Sequence, residues 1–342
     1  MLRSTLKQAF AALPASWRFT IGSLKRLSPR GKQAIVTVTA PEKQSAKIAV
    51  ITVPRFYPND LNRLLAPLRE LKADAYLIGA AFLSPRSRQL LLNEGICYAD
   101  DTGNIRIVLD HPTLFIARGG ATKNPSPDKT ALQSLKGSAA GRVIRALCDN
   151  KPPYGVRELA ERSATPPATV SRVAGLLARD VIVQQEERGK IKAVDWQALI
   201  RRWCEDYDLA ESNQTASYLE PRGIPALIDK LPAMKTAYAT TGSLAAVQVT
   251  PMTSVRQAVI YVEDIEKAAE ELKLKKVEAG ANVMLAEPFD PVVFERTWQK
   301  EGVIYAALSQ VAADLLTSPG RGTAEADALM RWMEDNPSAW RS

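Results

Sequence analysis

The sequence predicts a multidomain α/β protein. Strand and helix patterns alternate between residues 46 and 120 and again from 215 to 342. Between them, residues 136–200 show three short helical patterns followed by an alternating pattern typical of a hairpin. The stretch 121–135 is rich in Gly, Pro, Ser and Lys and predicts a linker. Residues 1–45 precede these parts as a basic N-terminal arm.

The N-terminal arm and the residues just after it carry the charge excess of the chain. The formal net charge is +8. Up to Asp60 the sequence has ten basic residues against Glu42 and Asp60. Such a segment favours a polyanionic partner, nucleic acid in the first place and an acidic membrane surface as the alternative. No apolar run reaches the roughly 20 residues of a membrane span, and the N-terminus lacks the apolar region of a signal peptide.

The predicted N-terminal domain, 46–120, alternates strands and helices. SAKIAVITVP and DAYLIGAAFL read as strands, and NDLNRLLAPLREL reads as a helix. SPRSRQLLLNEG begins with a serine cap followed by proline and ends at a glycine, which predicts a second helix. CYADDTGNIRIVL and TLFIAR predict antiparallel strands around a turn at 101–104.

The central unit, 136–200, begins with two amphipathic helix patterns. SAAGRVIRALCDN and VRELAERS each place apolar residues on one face. A third helix follows ATPP, where Thr165 can act as the cap and Pro166 suits the first position. The inward face of this helix is predicted to consist of Val170, Val173, Ala174 and Leu177.

The opposite face of the third helix is small or basic. It contains Ala168, Ser171, Arg172, Gly175 and Arg179, with Thr169 beside it. Small residues allow close approach to a groove, and arginine offers paired donors to guanine or phosphate. VIVQQEERGKIKAVDW then predicts a hairpin with Arg188, Lys190 and Lys192 near its tip.

Three short helices and a hairpin resemble the winged helix-turn-helix of bacterial regulators. The resemblance implies that the helix from Pro167 enters the major groove and that the hairpin contacts the DNA backbone. The alternative is a winged helix used for protein contact. The predicted DNA-binding residues are Thr165, Ala168, Thr169, Ser171, Arg172, Arg179, Arg188, Lys190 and Lys192.

The C-terminal part of the sequence contains the motifs KTAYATTGSLAA, AVIYVED, GANVMLAEPFDPVVFER and DLLTSPGRGTAEADALMRW. With these motifs, of which the last is the most specific, residues from about 136 to 342 resemble AbiE-type antitoxins. These proteins are the regulator half of a phage-defence toxin–antitoxin module. The resemblance implies repression of the module's own promoter and a C-terminal domain associated with antitoxicity and cooperative DNA binding. This chain has about 130 residues ahead of the winged helix, unlike short family members. A free-standing regulator therefore remains an alternative to one paired with a toxin gene.

Two enzymatic interpretations have weaker support. TTGSLAA, with Glu263 and Asp264, resembles nucleotidyltransferase sites, but adjacent strand residues point to opposite faces and would not share a metal. YADDTGNIRIVL resembles restriction-endonuclease-like folds, in which Asp100 or Asp101 would supply an acid. The next strand lacks the Glu-x-Lys that completes such a site, so this fold would be an inactive relic used for DNA or protein contact.

The remaining reactive side chains are few. His111 precedes a proline in a turn between strands, which favours a structural role. Cys97, Cys148 and Cys204 are odd in number and widely spaced, a pattern typical of reduced thiols in a cytoplasm. We therefore expect no catalytic residue, metal or cofactor.

Together these observations predict a cytoplasmic, sequence-specific transcriptional regulator that represses by occluding an operator. The alternative is an antitoxin that autoregulates its operon and neutralises a nucleotidyltransferase-like toxin, and a metal-dependent nuclease ranks third. The expected partner is double-stranded DNA, and a homodimer, a cognate toxin or a regulated operon remain open.

Overall fold

The computed structural model describes residues 2–23, 25–28, 31–126, 132, 134–186, 190–250 and 255–342. The chain divides into two compact units. The first contains Met1–Lys129 with Arg179–Val181, and the second contains Thr130–Ala178 with Ile182–Ser342. Each unit combines helices with a mixed sheet, so the predicted α/β class is confirmed.

The first unit is built on a sheet in which eight strands are described. These are β1 (Arg18–Ile21), β2 (Lys25–Ser28), β3 (Gly31–Thr39), β4 (Ser45–Thr52), β5 (Ala75–Ala80), β6 (Cys97–Asp100), β7 (Ile105–Leu109) and β8 (Leu114–Arg118). The order is β1-β3-β4-β5-β6-β7-β8, with β2 also paired to β3. β5 runs parallel to β4 and β6, and the other pairs are antiparallel.

Helices cover both faces of this sheet. α1 (Leu2–Phe10) packs on one face, while α2 (Leu61–Arg69) and α3 (Pro85–Asn93) cover the other. The strands are therefore apolar on both sides: in β4, Ile48 belongs to the core beside α1, and Ala49 belongs to the opposite core. α3 begins at a serine cap, as predicted, because Ser84 Oγ accepts a hydrogen bond from the Ser87 N–H.

Residues 1–45, expected as a basic arm, contribute α1 and three strands to this unit. In β3 the buried positions alternate with more exposed ones, so Val36 and Val38 enter the core. The side chains of Lys25, Arg26 and Lys32 are exposed on β2 and β3. The positive charge of these strands therefore lies on a folded surface.

The second unit begins with helices and a short hairpin. These elements are α4 (Ser138–Asp149), α5 (Val156–Arg162), α6 (Pro167–Arg179), the strands β9 (Val183–Gln185) and β10 (Ile191–Val194), α7 (Trp196–Trp203) and α8 (Leu209–Ser212). β9 and β10 are antiparallel. The apolar residues predicted at helical spacing on α4 and α6 are buried, which confirms both inward faces.

The rest of the second unit surrounds a sheet in which seven strands are described. The strands are β11 (Gln214–Leu219), β12 (Tyr238–Thr241), β13 (Ala258–Val262), β14 (Lys275–Lys276), β15 (Val283–Glu287), β16 (Trp298–Lys300) and β17 (Val303–Tyr305). Their order is β14-β11-β15-β13-β12-β17-β16. The accompanying helices are α9 (Ile224–Ile228), α10 (Gly242–Ala246), α11 (Ile265–Leu272), α12 (Leu308–Leu316) and α13 (Gly322–Asp335).

α4 and α12 share one hydrophobic core and a buried polar network. Arg145 of α4 is only 2% exposed, and its guanidinium forms an ion pair with Asp149 at 3.0 Å. It also donates to the backbone carbonyls of Val292 and Glu295 and to the side-chain oxygen of Gln310 on α12. A buried charge is tolerated when its donors are satisfied, so Arg145 holds α4 against the loop before β16 and against α12.

We expect Arg145→Met to lower the free energy of unfolding of the second unit by about 3–5 kcal/mol, because the substitution leaves the Asp149 carboxylate buried without its cation. Urea denaturation followed by tryptophan fluorescence measures the loss. Arg201→Met is the matched control: Arg201 pairs with Asp327 while 48% exposed. Losing this exposed pair should cost at most ~1 kcal/mol. Equal losses in the two variants would contradict a structural role for the buried pair.

Candidate nucleic-acid interface

The turn between α5 and α6 sets the direction of α6. The Ala164 N–H donates to Glu161 O, the Thr165 N–H donates to Ala160 O, and Ala164 has φ 44°. These are the two bonds and the left-handed residue of a Schellman motif, which ends α5 in one defined turn. Two prolines follow, 166 and 167, and their fixed φ suits the start of a helix.

The inward face of α6 consists of Val170, Val173, Ala174 and Leu177, each at most 1% exposed. These side chains belong to the same core as the buried residues of α4 and α5. Removing them from water supplies much of the free energy that holds α6 in place. The direction of the outward face is thereby fixed.

The outward face of α6 is small, polar and basic. Ala168, Ser171 and Arg172 are exposed, and Thr169 and Gly175 are partly exposed. A Cβ added at Gly175 would meet no atom within 4 Å, so packing inside the chain does not require this glycine. Glycine inside a helix costs about 1 kcal/mol relative to alanine, and its use here leaves room for a close external partner.

Arg172 extends along the surface of its own helix. Its Nε lies 3.3 Å from the Ala168 carbonyl oxygen, and its Nη2 lies 3.3 Å from the Thr169 hydroxyl. Both bonds are long and solvent-exposed, so they contribute little to stability. The guanidinium can exchange them for stronger bonds to an anionic partner or to the acceptors of a base edge.

The β9–β10 hairpin carries two of the predicted basic residues on its surface. Lys190 and Lys192 are both exposed. Lys192 Nζ lies 3.4 Å from the Glu186 carboxylate, which partly offsets its charge. Arg188 lies outside the described residues.

Two other predicted contact residues are less accessible. Thr165 is 5% exposed, and its hydroxyl donates to the Ser163 carbonyl at 2.8 Å. A helix cap would instead accept a bond from the first turn of α6, and the described hydrogen bonds include none to this hydroxyl. Arg179, in the last turn of α6, is partly buried.

The acids of the nuclease interpretation serve the turn between β6 and β7. Asp100 is 2% exposed, and its carboxylate accepts bonds from the backbone N–H groups of Leu83, Thr102 and Asn104 and from the side chains of Thr102 and Asn104. Asp101 accepts a bond from the Thr5 hydroxyl. The donors around Asp100 use both of its oxygens, so this carboxylate acts as a structural anchor for the turn.

The residues of the nucleotidyltransferase interpretation are also engaged locally. Ser243 Oγ donates to Glu325 on α13, and Asp264 caps α11 by accepting from the Lys267 N–H. Glu263 is exposed beside it. Oxygens of Asp264, Glu266 and Glu287 lie within 4.8 Å of one another at the surface, an arrangement of acids that is common without any ion. The Asp264 carboxylate therefore serves as the cap of α11.

A buried carboxyl on α12 was not predicted from the sequence. Asp314 is fully buried and accepts bonds from Thr241, Tyr207, Tyr261 and Gln310. Burial raises the pKa of Asp314 to about 6, and these hydrogen bonds oppose the rise. The signal in the sequence was weak, because an acid between apolar residues of an amphipathic helix usually faces solvent. Its partners come from separate elements, which indicates a role in joining them.

The thiols and the histidine have no activated geometry. Cys97 and Cys148 are buried, Cys204 is partly buried, and all three are free. Burial raises the pKa of each thiol, for Cys204 to about 12, so the nucleophilic thiolate is disfavoured. His111 is exposed in the turn between β7 and β8.

In the described part of the chain, no helix is both long and apolar enough for a membrane crossing.

Comparison with known proteins finds a similarity in the C-terminal part of the chain. Residues 192–334 match a family model for transcriptional regulators of type IV toxin–antitoxin systems. The family is that of the AbiEi antitoxins, and the predicted resemblance to AbiE-type antitoxins is thereby confirmed. The matched residues include most of β10, α7 and most of the following α/β fold, and they begin after α6. No curated protein and no solved structure matches the chain.

Proposed function

We propose that this chain is a sequence-specific DNA-binding repressor that acts by occluding an operator. Its reading element is a winged helix-turn-helix made of α4, α5, α6 and the β9–β10 hairpin. The observation that carries this proposal is the outward face of α6, where Arg172 stands among small exposed residues above a fixed apolar core. The family of residues 192–334 consists of transcriptional regulators, which supports the same class of function.

The predicted contacts divide into two kinds. Ala168, Ser171 and Arg172 would approach base edges in the major groove, because they lie on the exposed side of α6. Lys190 and Lys192 would contact phosphates from the hairpin, which contributes affinity without sequence preference. We leave Thr165 out of direct contact because its hydroxyl is buried and bonded to Ser163.

The first unit would assist without catalysis. We propose that it has a restriction-endonuclease-like sheet whose acids hold no metal, since Asp100 is occupied by donors of its own turn and by the Leu83 N–H. Exposed basic residues of β2 and β3 offer non-specific attraction to DNA. Action in the cytoplasm fits both this partner and the free thiols.

We expect Arg172→Ala to remove the preference for operator over random DNA, a loss of roughly 1–3 kcal/mol in discrimination for one base-contacting arginine. Lys190→Ala should weaken binding to all sequences similarly and reduce the salt dependence of affinity. Fluorescence anisotropy with operator and scrambled duplexes over a salt series measures both.

The matched control is Arg331→Ala, an exposed arginine on α13 away from this face. It should change neither affinity nor preference. If Arg172→Ala behaved like Arg331→Ala while folded, the assignment of α6 as the reading helix would be wrong.

A second function is favoured by the family match. As a proposed antitoxin, the chain would neutralise a nucleotidyltransferase-like toxin encoded beside it. Expression of the neighbouring reading frame should then arrest growth, and co-expression of this chain should restore it. An Arg172→Ala chain should still restore growth if neutralisation is separate from DNA reading. An unrelated, harmless neighbouring gene would argue for a free-standing regulator.

A further inference from the structure

The second unit contains a cleft of about 540 Å³ that the DNA-reading proposal does not use. This volume lies within the range of small-molecule sites. The cleft is bounded by residues 338–342, by Trp332 of α13, and by residues 296–298, which lead into β16. Its walls include the side chains of Trp298, Leu308, Trp332 and Trp340, and two arginines, Arg296 and Arg341, lie among them.

Three tryptophans line the cleft, and two of them already contact other side chains: Trp298 stacks on Tyr305 with ring centroids 4.5 Å apart, and the Arg341 guanidinium lies 5.9 Å from the Trp340 ring centroid. The Trp340 indole N–H donates to the Met333 carbonyl, and the Trp298 indole N–H donates to the Ala306 carbonyl. Their polar atoms are thus satisfied inside the protein, and a ligand would contact the aromatic surface of Trp332 and the parts of the other two rings that Tyr305, Arg341 and Trp196 leave uncovered. Such surface favours stacked or edge-on contact with a planar ring.

The side chains that line the cleft include two cations. These are Arg296 and Arg341, and the lining has no aspartate or glutamate side chain, although it also includes Ser342, the last residue of the sequence. Among the described residues, neither arginine forms an ion pair with a carboxylate. Arg296 is exposed and donates to the Ser342 hydroxyl at 2.9 Å, a neutral acceptor that an anion could replace.

The wall formed by residues 338–342 is held in place by α4 and α7. Arg341 donates to the backbone carbonyls of Leu147 and Asn150 at the end of α4. Trp340 packs edge-on against Trp196 of α7, with ring centroids 4.9 Å apart. The cleft is therefore formed before any ligand binds, which lowers the entropy cost of binding.

We propose that this cleft binds a small molecule that combines a planar aromatic ring with an anionic group. The ring lies against the indoles of Trp332 and Trp340, and the anion lies at Arg296. An aromatic acid and a purine nucleotide share this chemistry, and both are compatible with the volume.

The test uses the full chain and three probes. Naphthalene-2-sulfonate carries the ring and the anion, 2-naphthol carries the ring without the anion, and AMP represents the nucleotides. Isothermal titration calorimetry in the absence of DNA measures affinity and stoichiometry, so its outcome is independent of the proposed DNA binding. The variants are Arg296→Gln and, as the matched control, Arg331→Gln, which removes an exposed arginine that does not line the cleft.

We expect one molecule of naphthalene-2-sulfonate or of AMP to bind per chain. The probe that binds more tightly identifies the ligand class as an aromatic acid or a nucleotide. 2-Naphthol should bind more weakly than the tighter anionic probe. Arg296→Gln should weaken the tighter anionic probe by about tenfold, the loss of one charge-assisted hydrogen bond, and Arg331→Gln should leave it unchanged. Trp332→Leu, checked for folding by its thermal transition, should also weaken binding. Absence of saturable binding by both anionic probes, or binding that Arg296→Gln leaves unaltered, would overturn the proposal.

Discussion

The buried Arg145 guanidinium is the interaction on which the second unit depends. It lies on α4, yet its acceptors come from the loop before β16 and from α12 as well as from Asp149. Because a buried cation requires all of these acceptors together, α4 can adopt one position against the C-terminal fold. The buried residues of α5 and α6 belong to the same core as those of α4, so this network helps to fix the direction of the outward face of α6.

The sequence predicted the parts whose signal is local. Apolar residues at helical spacing identified the buried faces of α4 and α6, because each helix must bury one apolar face wherever it packs. The serine cap of α3 and the turn at 101–104 were also predictable, because each depends only on residues that are neighbours in the sequence. Once the buried face of α6 was identified, the remaining residues were predicted to face outward. The exposure of Ala168, Ser171 and Arg172 agrees with that prediction.

What the sequence did not reveal depends on distant partners. An arginine in a helix usually reads as a solvated charge, and the burial of Arg145 becomes visible only when residues 292–310 are brought beside it. Asp314 was hidden in the same way, since its donors Tyr207, Thr241 and Tyr261 lie 53 to 107 positions away. Thr165 shows that a local pattern can also mislead. A threonine before two prolines is typical of a helix cap, but the Thr165 hydroxyl donates to the Ser163 carbonyl.

The proposed function requires the outward face of α6 to read a DNA sequence. The most direct test is selection of fragments from a genomic library by the purified full chain, followed by sequencing of the bound DNA. The account predicts a shared motif in the recovered fragments, enriched over the input and located near a promoter. Recovery of fragments in proportion to their abundance, with no shared motif, would contradict it.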